Sequence, residues 1–508
     1  MDKKYLIGID AGTTAIKAVL FDLEGNQLAC TEAENQVIHS NQSWNEQDME
    51  QLWQSLSQCV RRLMSGGPAA PEEIAAIGLT AQGEGLWTLD GQGRPARRAI
   101  LWNDGRAAQL VNTLREEQSE LYQQIKLTAA TYIKPGSTLT LIKWLAENEP
   151  EQYAKTRWIF TCKDYIRFKM TGQINWELTD ASCSCLDIET CEYAAPLFQA
   201  LGISDALEKL PPLLGGTDRA GCITEEAAAL LGLCPGIPVS GGMIDIVATA
   251  VGAGAVKTNT VCTILGTTGM NFVVLEHYEP DLAFNGWERH MVKDKLIKGQ
   301  GMMSAMPNQN WVLQEIFGAR EITAELFAQT DPVISQMHPG QGGLLYLPHI
   351  DPSGERAPFF NPNAAAQLMG IKTSTTKYEI LRAVIDGVVM GIRDCLQSIP
   401  GRQAVYLTGG GAKSPIWRQA VADCTGRDVL ICQATELAAK GAALSAALMA
   451  GIFDSCDQAD AFFQIKDVVH PRPEYTARYD AVFPAYKQAQ ESAKEFWQWR
   501  TNYLRGEC

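Results

Sequence analysis

The feature that most constrains the fold of this chain is a strand–glycine turn–strand pattern that occurs twice. The first copy, YLIGIDAGTTAIKAVLF, begins at Tyr5, and the second, NTVCTILGTTGMNFVVL, begins at Asn259. In each copy an apolar run leads into Gly-Thr-Thr and is followed by a second apolar run. Two copies of one β-turn-β unit, about half a chain apart, predict two related domains that face each other across a cleft.

Helical patterns alternate with these strands and predict an α/β fold. The segment NEQDMEQLWQSLSQCVRRLM places apolar residues at three- and four-residue spacing, which is typical of an amphipathic helix. A chain of 508 residues is too long for one ordinary core. We expect the boundary where VATAVGAGAV becomes small and Gly-rich, which gives domains at 1–252 and 253–508. The segment AYKQAQESAKEFWQWRTNYLRGEC predicts one polar amphipathic helix.

Charge, hydropathy and cysteine content limit the partners and the compartment. The 58 acidic and 43 basic residues give a net charge of −15, which argues against nucleic acid or an acidic membrane as a partner. The N-terminal stretch lacks an export signal, and no apolar run reaches ~18 residues, so we expect a soluble cytoplasmic protein without a membrane span. The 14 scattered cysteines favour reduced thiols over zinc sites or disulfides.

The two Gly-Thr turns are candidate phosphate sites. Backbone N–H groups in a glycine turn can point at a phosphate, and threonine hydroxyls add donors. Asp10 ends the first strand and could hold Mg²⁺, which prefers oxygen ligands, while Lys17 supplies positive charge. The alternative is an ordinary hairpin in which the aspartate caps the turn. The residues of the two turns are Gly12, Thr13 and Thr14, and Gly266, Thr267 and Thr268.

A second carboxylate, Asp245, follows a strand and a Gly-Gly bend in PVSGGMIDIVATAVGAG. From that position it could project into an interdomain cleft and accept a proton from a substrate hydroxyl that attacks phosphorus. The alternative is an N-cap for a helix that begins near Ile246. The chain has six histidines, and none lies in a comparable context, so an aspartate base is favoured.

The segment YLTGGGAKSPIWRQAVADCTGRDV combines an apolar strand, three glycines and a helix from about Pro415. The glycines could let a base or ribose lie against the backbone. The segment does not match GxxxxGK[ST], because Ala412 and Leu407 stand at the two required glycines, so a Walker-type site is not expected. The candidate nucleotide contacts here are Gly410, Gly411 and Ser414.

Two polar turns suit a polyhydroxylated ligand. Carboxylates accept hydrogen bonds from hydroxyl groups, and tryptophan can cover a C–H face. The alternative is ordinary surface-turn chemistry. The candidate residues, from LTAQGEG and ILWNDGR, are Gln82, Gly83, Glu84, Trp102 and Asp104, with Asp245 also placed to touch the substrate.

Taken together and in this order, the motifs resemble those of the FGGY carbohydrate kinases. IGIDAGTTAIKAVLFD and TILGTTG are similar to the two phosphate motifs of the family, and SGGMIDIVATAVGAG to its catalytic-aspartate loop. The resemblance covers nearly the whole chain. It implies two actin/hexokinase/Hsp70-like (ribonuclease H-like) domains that flank a catalytic cleft.

The resemblance also implies the reaction: transfer of the ATP γ-phosphoryl group to a hydroxyl of a small sugar or polyol, with Mg²⁺. Asp245 would be the general base and Asp10 the residue nearest the metal. Dimers are common in the family, so a homodimer is expected. Two other classes are an actin-like or Hsp70-like binding module and a pseudokinase regulator. The presence of Asp245 argues against the pseudokinase.

The QGEG turn at residues 82–85 bears on the substrate. It is similar to the turn of family members that act on L-xylulose or erythritol. Gly83 would leave room, and Glu84 would accept hydroxyl hydrogen bonds. The expected order of substrates is L-xylulose, erythritol, D-xylulose and glycerol.

Overall fold

The structure is a computed structural model that describes residues 3–41, 43–280, 286–397 and 403–506. Strands of the first half are β1 (Tyr5–Ala11), β2 (Ala15–Asp22), β3 (Gln27–Glu34), β4 (Ile38–His39), β5 (Asn45–Gln47), β6 (Ile74–Ala81), β7 (Trp87–Leu89), β8 (Ala99–Ile100), β9 (Trp158–Phe160), β10 (Trp176–Glu177), β11 (Leu213–Leu214), β12 (Arg219–Cys222), β13 (Pro238–Ser240) and β14 (Met243–Ile244). Its helices are α1 (Met49–Gly66), α2 (Ala108–Glu116), α3 (Ser119–Thr128), α4 (Thr138–Asn148), α5 (Pro150–Lys155), α6 (Cys162–Thr171), α7 (Leu178–Ala181), α8 (Ala195–Ala200), α9 (Glu225–Leu231) and α10 (Asp245–Ala253).

Strands of the second half are β15 (Val261–Leu265), β16 (Gly269–Leu275), β17 (Trp287–Arg289), β18 (Leu296–Met302), β19 (Leu345–Leu347), β20 (Gln367–Met369), β21 (Val405–Thr408), β22 (Val429–Cys432) and β23 (Ile465–Val469). Its helices are α11 (Met306–Trp311), α12 (Ala324–Ile334), α13 (Lys377–Leu396), α14 (Pro415–Thr425), α15 (Leu437–Met449) and α16 (Pro473–Arg505).

Two sheets with the same internal pattern dominate the described residues. The first runs β12-β13-β6-β1-β2-β3, with β14 also paired to β6, and the second runs β17-β18-β16-β15-β21-β22-β23. In each, the hairpin that carries the Gly-Thr turn is antiparallel (β1–β2 and β15–β16), and its first strand continues into a parallel pair (β1–β6 and β15–β21). The predicted two-domain α/β architecture is therefore confirmed, and the two Gly-Thr turns occupy equivalent positions in the two sheets.

Local sequence accounts for the long helices. Helix α1 begins after Asp48, whose side chain accepts a hydrogen bond from the Gln51 amide at 3.0 Å. The apolar positions predicted to share one face are buried. Helix α13 begins with a capping box in which Thr376 and Glu379 each bond the other's backbone N–H. Helix α16 confirms the predicted C-terminal helix and extends it toward the N-terminus as far as Pro473.

The buried apolar residues form a core on the outer side of each sheet and a third core between the sheets. The third core contains α10 and α15, which pack closely against each other and lie between residues of both sheets. Helix α15 comes late in the chain but packs on β1 and β6 of the first sheet. The predicted boundary between 252 and 253 falls one residue before the end of α10, and it stays a prediction.

Two glycines of the first sheet allow α15 to approach this closely. A Cβ atom on Gly8 would lie 1.9 Å from the Ala439 carbonyl oxygen, and one on Gly78 would lie 1.8 Å from that of Ala442. Any larger residue at either position would therefore push the helix away from the sheet. The sequence marks these glycines only as part of an apolar strand, so the contact was not predicted.

The 13 cysteines among the described residues are all free thiols. None of the helices described combines the length and the apolar character that a membrane crossing requires.

Candidate active site

The first Gly-Thr turn is joined to the predicted sugar turns through the hydroxyl of Thr13. This hydroxyl donates to Oε1 of Gln82 at 3.1 Å and accepts from Nε1 of Trp102 at 3.0 Å. The Gln82 amide nitrogen in turn donates to Gln47 at 2.8 Å. Gln82 is buried and has both ends of its amide engaged, so the structure places it as a brace between the turns. Its predicted contact with the substrate stays a prediction.

Asp10 lies at the end of β1, directly opposite Lys17 of β2. Its Oδ1 is buried and has no hydrogen-bond partner among the described residues. Burial raises the pKa of this carboxyl to about 6, against the opposing effect of Lys17. An unsatisfied buried carboxylate oxygen beside a phosphate turn fits a group that a hydrated metal ion would satisfy.

Lys17, predicted to contact phosphate, forms an ion pair with Glu436. The Nζ–Oε2 distance is 2.8 Å, and Glu436 directly precedes α15. This hydrogen bond is the main cause of the raised pKa of Lys17. The pair links the first sheet to the second half of the chain, and the contact with phosphate stays a prediction.

Asp245 is positioned by β14, which adds to the end of β6 so that Ile244 pairs with Ala81. This pairing brings the first residue of α10 beside the turn at residues 82–85. Ile244 occupies the N-cap position, so Asp245 is not the helix cap. Instead, Asp245 Oδ1 accepts a hydrogen bond from the neighbouring Ile246 amide at 2.7 Å.

Burial, followed by the nearby charges of Asp10 and Asp180, raises the pKa of Asp245 to about 7. A carboxyl with a pKa near the working pH is suited to take a proton and later release it. Asp180 belongs to a buried ionic cluster and lies 2.8 Å from the Lys163 ammonium.

A cavity of about 340 Å³ lies between the two halves of the chain. The first half contributes Glu84, Trp102 and Asp245, and the second contributes Thr268, Glu288 and Arg356. The cavity therefore brings together Asp245, which is the predicted base, and Thr268 of the second Gly-Thr turn. Three predicted sugar contacts line it as well: Gly83, Glu84 and Trp102.

The space that a side chain on Gly83 would need is filled by protein. A Cβ atom at this position would lie 2.0 Å from Cδ1 of Ile244 and 3.1 Å from Oδ1 of Asp180. Gly83 was expected to leave room for a substrate. The structure corrects that reason: the absent side chain makes room for Ile244, which lines the cavity next to Asp245.

Glu84 is held in the cavity wall by two partners. Its carboxylate lies 2.5 Å from Nζ of Lys134 and accepts a hydrogen bond from the Ser137 hydroxyl at 2.8 Å. Glu84 has a φ of 54°, a conformation that non-glycine residues rarely adopt. The Lys134 ammonium also lies 5.5 Å from the Trp102 ring centre. The substrate would therefore meet a Glu84–Lys134 pair rather than an isolated carboxylate.

Asp104 is predicted to contact the substrate, but its carboxylate is bonded to other residues of the protein. Oδ1 accepts from Nε of Arg106 at 2.8 Å, and Oδ2 accepts from the Asn45 amide at 2.7 Å. Asp104 is buried, and the pair with Arg106 is fully enclosed. The structure thus gives Asp104 a role in holding the second polar turn in place, and does not bring its carboxylate into the cavity wall.

The triple-glycine loop packs directly on the strand that leads to the second phosphate turn. Gly409 has a φ of 90°, and a Cβ atom on Gly411 would lie 2.5 Å from the Leu265 side chain. Helix α14 then begins at Pro415, as predicted. Gly411 therefore lies against Leu265, the residue that precedes Gly266. The nucleotide contacts expected of Gly410, Gly411 and Ser414 stay predictions.

The predictions from sequence omitted several residues of the cavity. Thr131, Tyr132 and Lys134 come from a loop without a motif, and Glu288 and Arg356 come from the second half of the chain. The Tyr132 ring stacks on Phe360 with ring centres 5.9 Å apart, across the cleft. A proline and glycine after Lys134 were the only local signal of a structured loop.

Models of two protein domains match the chain. The model described as "FGGY family of carbohydrate kinases, N-terminal domain" matches residues 5–252, and the corresponding C-terminal domain matches residues 261–450. A probable L-xylulose kinase of Pasteurella multocida is 32% identical over 505 residues, with 96% of this chain and 99% of that protein covered. An erythritol kinase of Brucella abortus is 28% identical, with 97% of each covered.

The fold is similar to that of solved sugar kinases. The crystal structure of xylulose kinase from Rhodospirillum rubrum matches with a TM-score of 0.88 at 24% identity. The match covers 97% of this chain and 100% of that one.

Proposed function

This chain belongs to the FGGY family of carbohydrate kinases, and from that premise we propose that it phosphorylates a four- or five-carbon ketose or polyol with ATP. The observation that carries the proposal is the shared cavity. There Asp245, with a pKa raised to about 7, lines the cavity together with Glu84 and with Thr268 of the second Gly-Thr turn. A base, a hydroxyl-binding pair and a phosphate turn are the parts that phosphoryl transfer to an alcohol requires.

In the proposed reaction, the Asp245 carboxylate accepts the proton of a substrate hydroxyl. The hydroxyl oxygen forms a bond to the γ-phosphorus as the bond from that phosphorus to the bridging oxygen breaks, and ADP leaves. The hydrogen bond from the Ile246 amide fixes one oxygen of Asp245 and leaves the other for the substrate. Residues of both halves surround the cavity, so the reacting groups can be shielded from water.

We assign ATP to the two Gly-Thr turns and the triple-glycine loop. The first turn is braced by Gln82 and Trp102. In the second, the carbonyls of Gly266 and Thr267 accept hydrogen bonds from the Met306 and Ala305 amides, which supports a fixed geometry for the phosphates. Asp10 would hold Mg²⁺ at the phosphates, where the ion would neutralise negative charge. In this assignment the domains divide at 252/253, between the two sets of nucleotide contacts. The proposed contacts are Gly12, Thr13, Thr14, Lys17, Gly266, Thr267, Thr268, Gly410, Gly411 and Ser414.

L-xylulose is the first candidate substrate and erythritol the second, followed by D-xylulose and glycerol. The similarity to proteins named L-xylulose kinase, erythritol kinase and xylulose kinase supports this order. The Glu84–Lys134 pair can both accept from and donate to substrate oxygens, which suits hydroxyl and keto groups. Use of cytosolic ATP and the free thiols support a cytoplasmic location. The expected homodimer stays a prediction, and light scattering would test it.

A phosphorylation screen tests the proposed function. The purified protein is incubated with ATP, Mg²⁺ and each of a set of pentuloses, tetritols, glycerol and hexoses, and ADP release is followed by a coupled assay. We expect sugar-dependent ADP release, with the highest kcat/KM for a ketopentose or tetritol. Activity confined to hexoses would contradict the substrate class. ADP release that no sugar stimulates would favour a binding or regulatory role instead.

A further inference from the structure

Strand β17, the edge strand of the second sheet, is held in place by the first half of the chain. The Trp287 amide donates to the Ala130 carbonyl at 3.0 Å, and the Arg289 amide donates to the Ser182 hydroxyl at 3.0 Å. Its other edge pairs with β18 of its own sheet. The strand is therefore fixed from both sides of the cleft, at the position where the cavity passes between the two halves.

Side chains alternate along this strand, so Glu288 faces differently from its neighbours. Trp287 is buried in a small apolar cluster with Ala130, Ile188 and Leu296. Glu288 instead lines the 340 Å³ cavity that also contains Asp245. The hydrogen bonds of the Trp287 and Arg289 amides fix the backbone on either side of Glu288, and so restrict the direction in which its side chain can point.

One of the two carboxyl oxygens of Glu288 is unsatisfied. Oε2 is buried and has no hydrogen-bond partner among the described residues. The Lys134 ammonium in the same cavity is already paired with Glu84 at 2.5 Å. A buried polar atom without a partner costs free energy unless a ligand or water supplies one, and the residue that carries this atom lines the proposed substrate cavity.

We propose that Glu288 is a specificity-determining residue that hydrogen-bonds one hydroxyl of the bound sugar or polyol from the second sheet, while Glu84 and Asp245 hold it from the first. The proposal rests on the proposed kinase function and adds to it a contact from the other side of the cleft. A neutral polyol or ketose fits best, because the three carboxyl groups that line the cavity outnumber its two basic side chains, Lys134 and Arg356, and Lys134 is paired with Glu84.

The environment of Glu288 favours its uncharged form. Burial, followed by the charge of Glu84, raises the pKa of Glu288 to about 8, although Lys134 opposes the shift. An uncharged carboxyl has one O–H donor and an acceptor oxygen, as the amide of glutamine also has donor and acceptor groups. Glutamine is therefore the conservative replacement, whereas aspartate keeps the carboxyl but withdraws it by one methylene.

The test compares E288A, E288Q and E288D with wild type in sugar-dependent turnover. E276A is the matched control, because Glu276 is exposed and follows β16 of the same sheet. We expect E288A to raise the KM for the preferred sugar by about 10-fold or more, as loss of one hydrogen bond at about 1.4 kcal/mol corresponds to tenfold. E288D should follow E288A, whereas E288Q should stay within about 3-fold of wild type. The KM for ATP should be unchanged in all three and in E276A.

Mono-deoxy analogues of the preferred sugar separate a direct contact from a structural effect. For one hydroxyl position, removal of the hydroxyl should weaken binding to wild type but not further weaken binding to E288A. If E288A unfolds, E288D gives the same comparison. The proposal would be overturned if the sugar KM of E288A and E288D stayed within about 2-fold of wild type. It would also be overturned if, at every hydroxyl position, the losses of binding from the deoxy analogue and from the substitution were additive. Neither result would contradict the proposed kinase function. Failure of wild type to use any sugar would overturn the proposed function, and this inference with it.

Discussion

The Ile244 side chain fills the space that a side chain on Gly83 would need: a Cβ atom on Gly83 would lie 2.0 Å from Cδ1 and 2.3 Å from Cγ1 of Ile244. Ile244 immediately precedes Asp245 and occupies the N-cap position of the helix that begins with it. The glycine of the sugar turn and the position of the proposed base are therefore coupled by packing. A methyl group added at Gly83 should therefore be better tolerated when the side chain at position 244 is shortened.

We expect G83A to lower kcat/KM for the sugar by about 10-fold, because a displaced Ile244 shifts Asp245 by a fraction of an ångström. The double variant G83A/I244A should recover part of that loss, since the shorter alanine side chain in place of Ile244 leaves space for the new methyl group. Steady-state kinetics with the preferred sugar measures both. Equal losses in G83A and in the double variant would contradict the packing argument.

Asp245→Asn is expected to lower kcat by about 10²–10⁴-fold, the range that a positioned general base contributes. The asparagine side chain has nearly the same shape, and its oxygen can still accept from the Ile246 amide. ATP affinity, measured by calorimetric titration, should stay within about 2-fold of wild type, because the proposed nucleotide contacts lie on other residues. A variant that keeps more than a tenth of the wild-type kcat would remove Asp245 from the role of base.

The pH dependence should report the ionisation of Asp245. Its pKa is raised to about 7, and a base acts only when deprotonated, so kcat/KM for the sugar should fall as the pH is lowered through 7. The expected slope is about one decade per pH unit. A profile recorded between pH 5 and 9 checks this. Activity that stays constant down to pH 5 would show that the ionisation of Asp245 does not control the reaction.

Gly8→Ala and Gly78→Ala should each destabilise the protein by at least about 2 kcal/mol, because the new methyl group meets a backbone carbonyl of α15 rather than a movable side chain. The control is G66A at the end of α1, where an added Cβ has nothing within 4 Å. That variant should be neutral or slightly stabilising. Urea unfolding followed by circular dichroism measures the difference. Unchanged midpoints in both sheet variants would contradict the close packing of α15.

The sequence predicted the parts of the site that local pattern encodes. The repeated Gly-Thr hairpins and the helix that starts at Asp245 follow from strand and turn chemistry within single segments. Gln82 and Asp104 show the limit of such reasoning: both are polar residues in glycine-containing turns, but partners distant in sequence, Thr13 and the Asn45 amide, draw them into the framework. Nothing in the local sequence distinguishes such a brace from a substrate contact.

Glu288 is the opposite case: it lines the cavity, but its local sequence gives no sign of this. Its segment has no glycine turn or long apolar run, and its place in the cavity depends on hydrogen bonds that β17 makes to Ala130 and Ser182, more than 100 residues away in the chain. Long-range pairing of this kind decides which polar side chains face a cleft. The two-domain architecture was predictable because its signal is a repeat, which needs no knowledge of contacts.

The position of α15 has a consequence for the synthesis of the protein. Strands β1, β2 and β6, all within the first 81 residues, bury Leu6, Val19 and Ala76 in the same core as a helix that ends at residue 449. A nascent chain that has left the ribosome only as far as α10 therefore exposes one apolar face of its first sheet. That face is covered only after roughly 200 further residues have been translated, about 10–40 s at ordinary elongation rates, during which a chaperone has an apolar surface to bind.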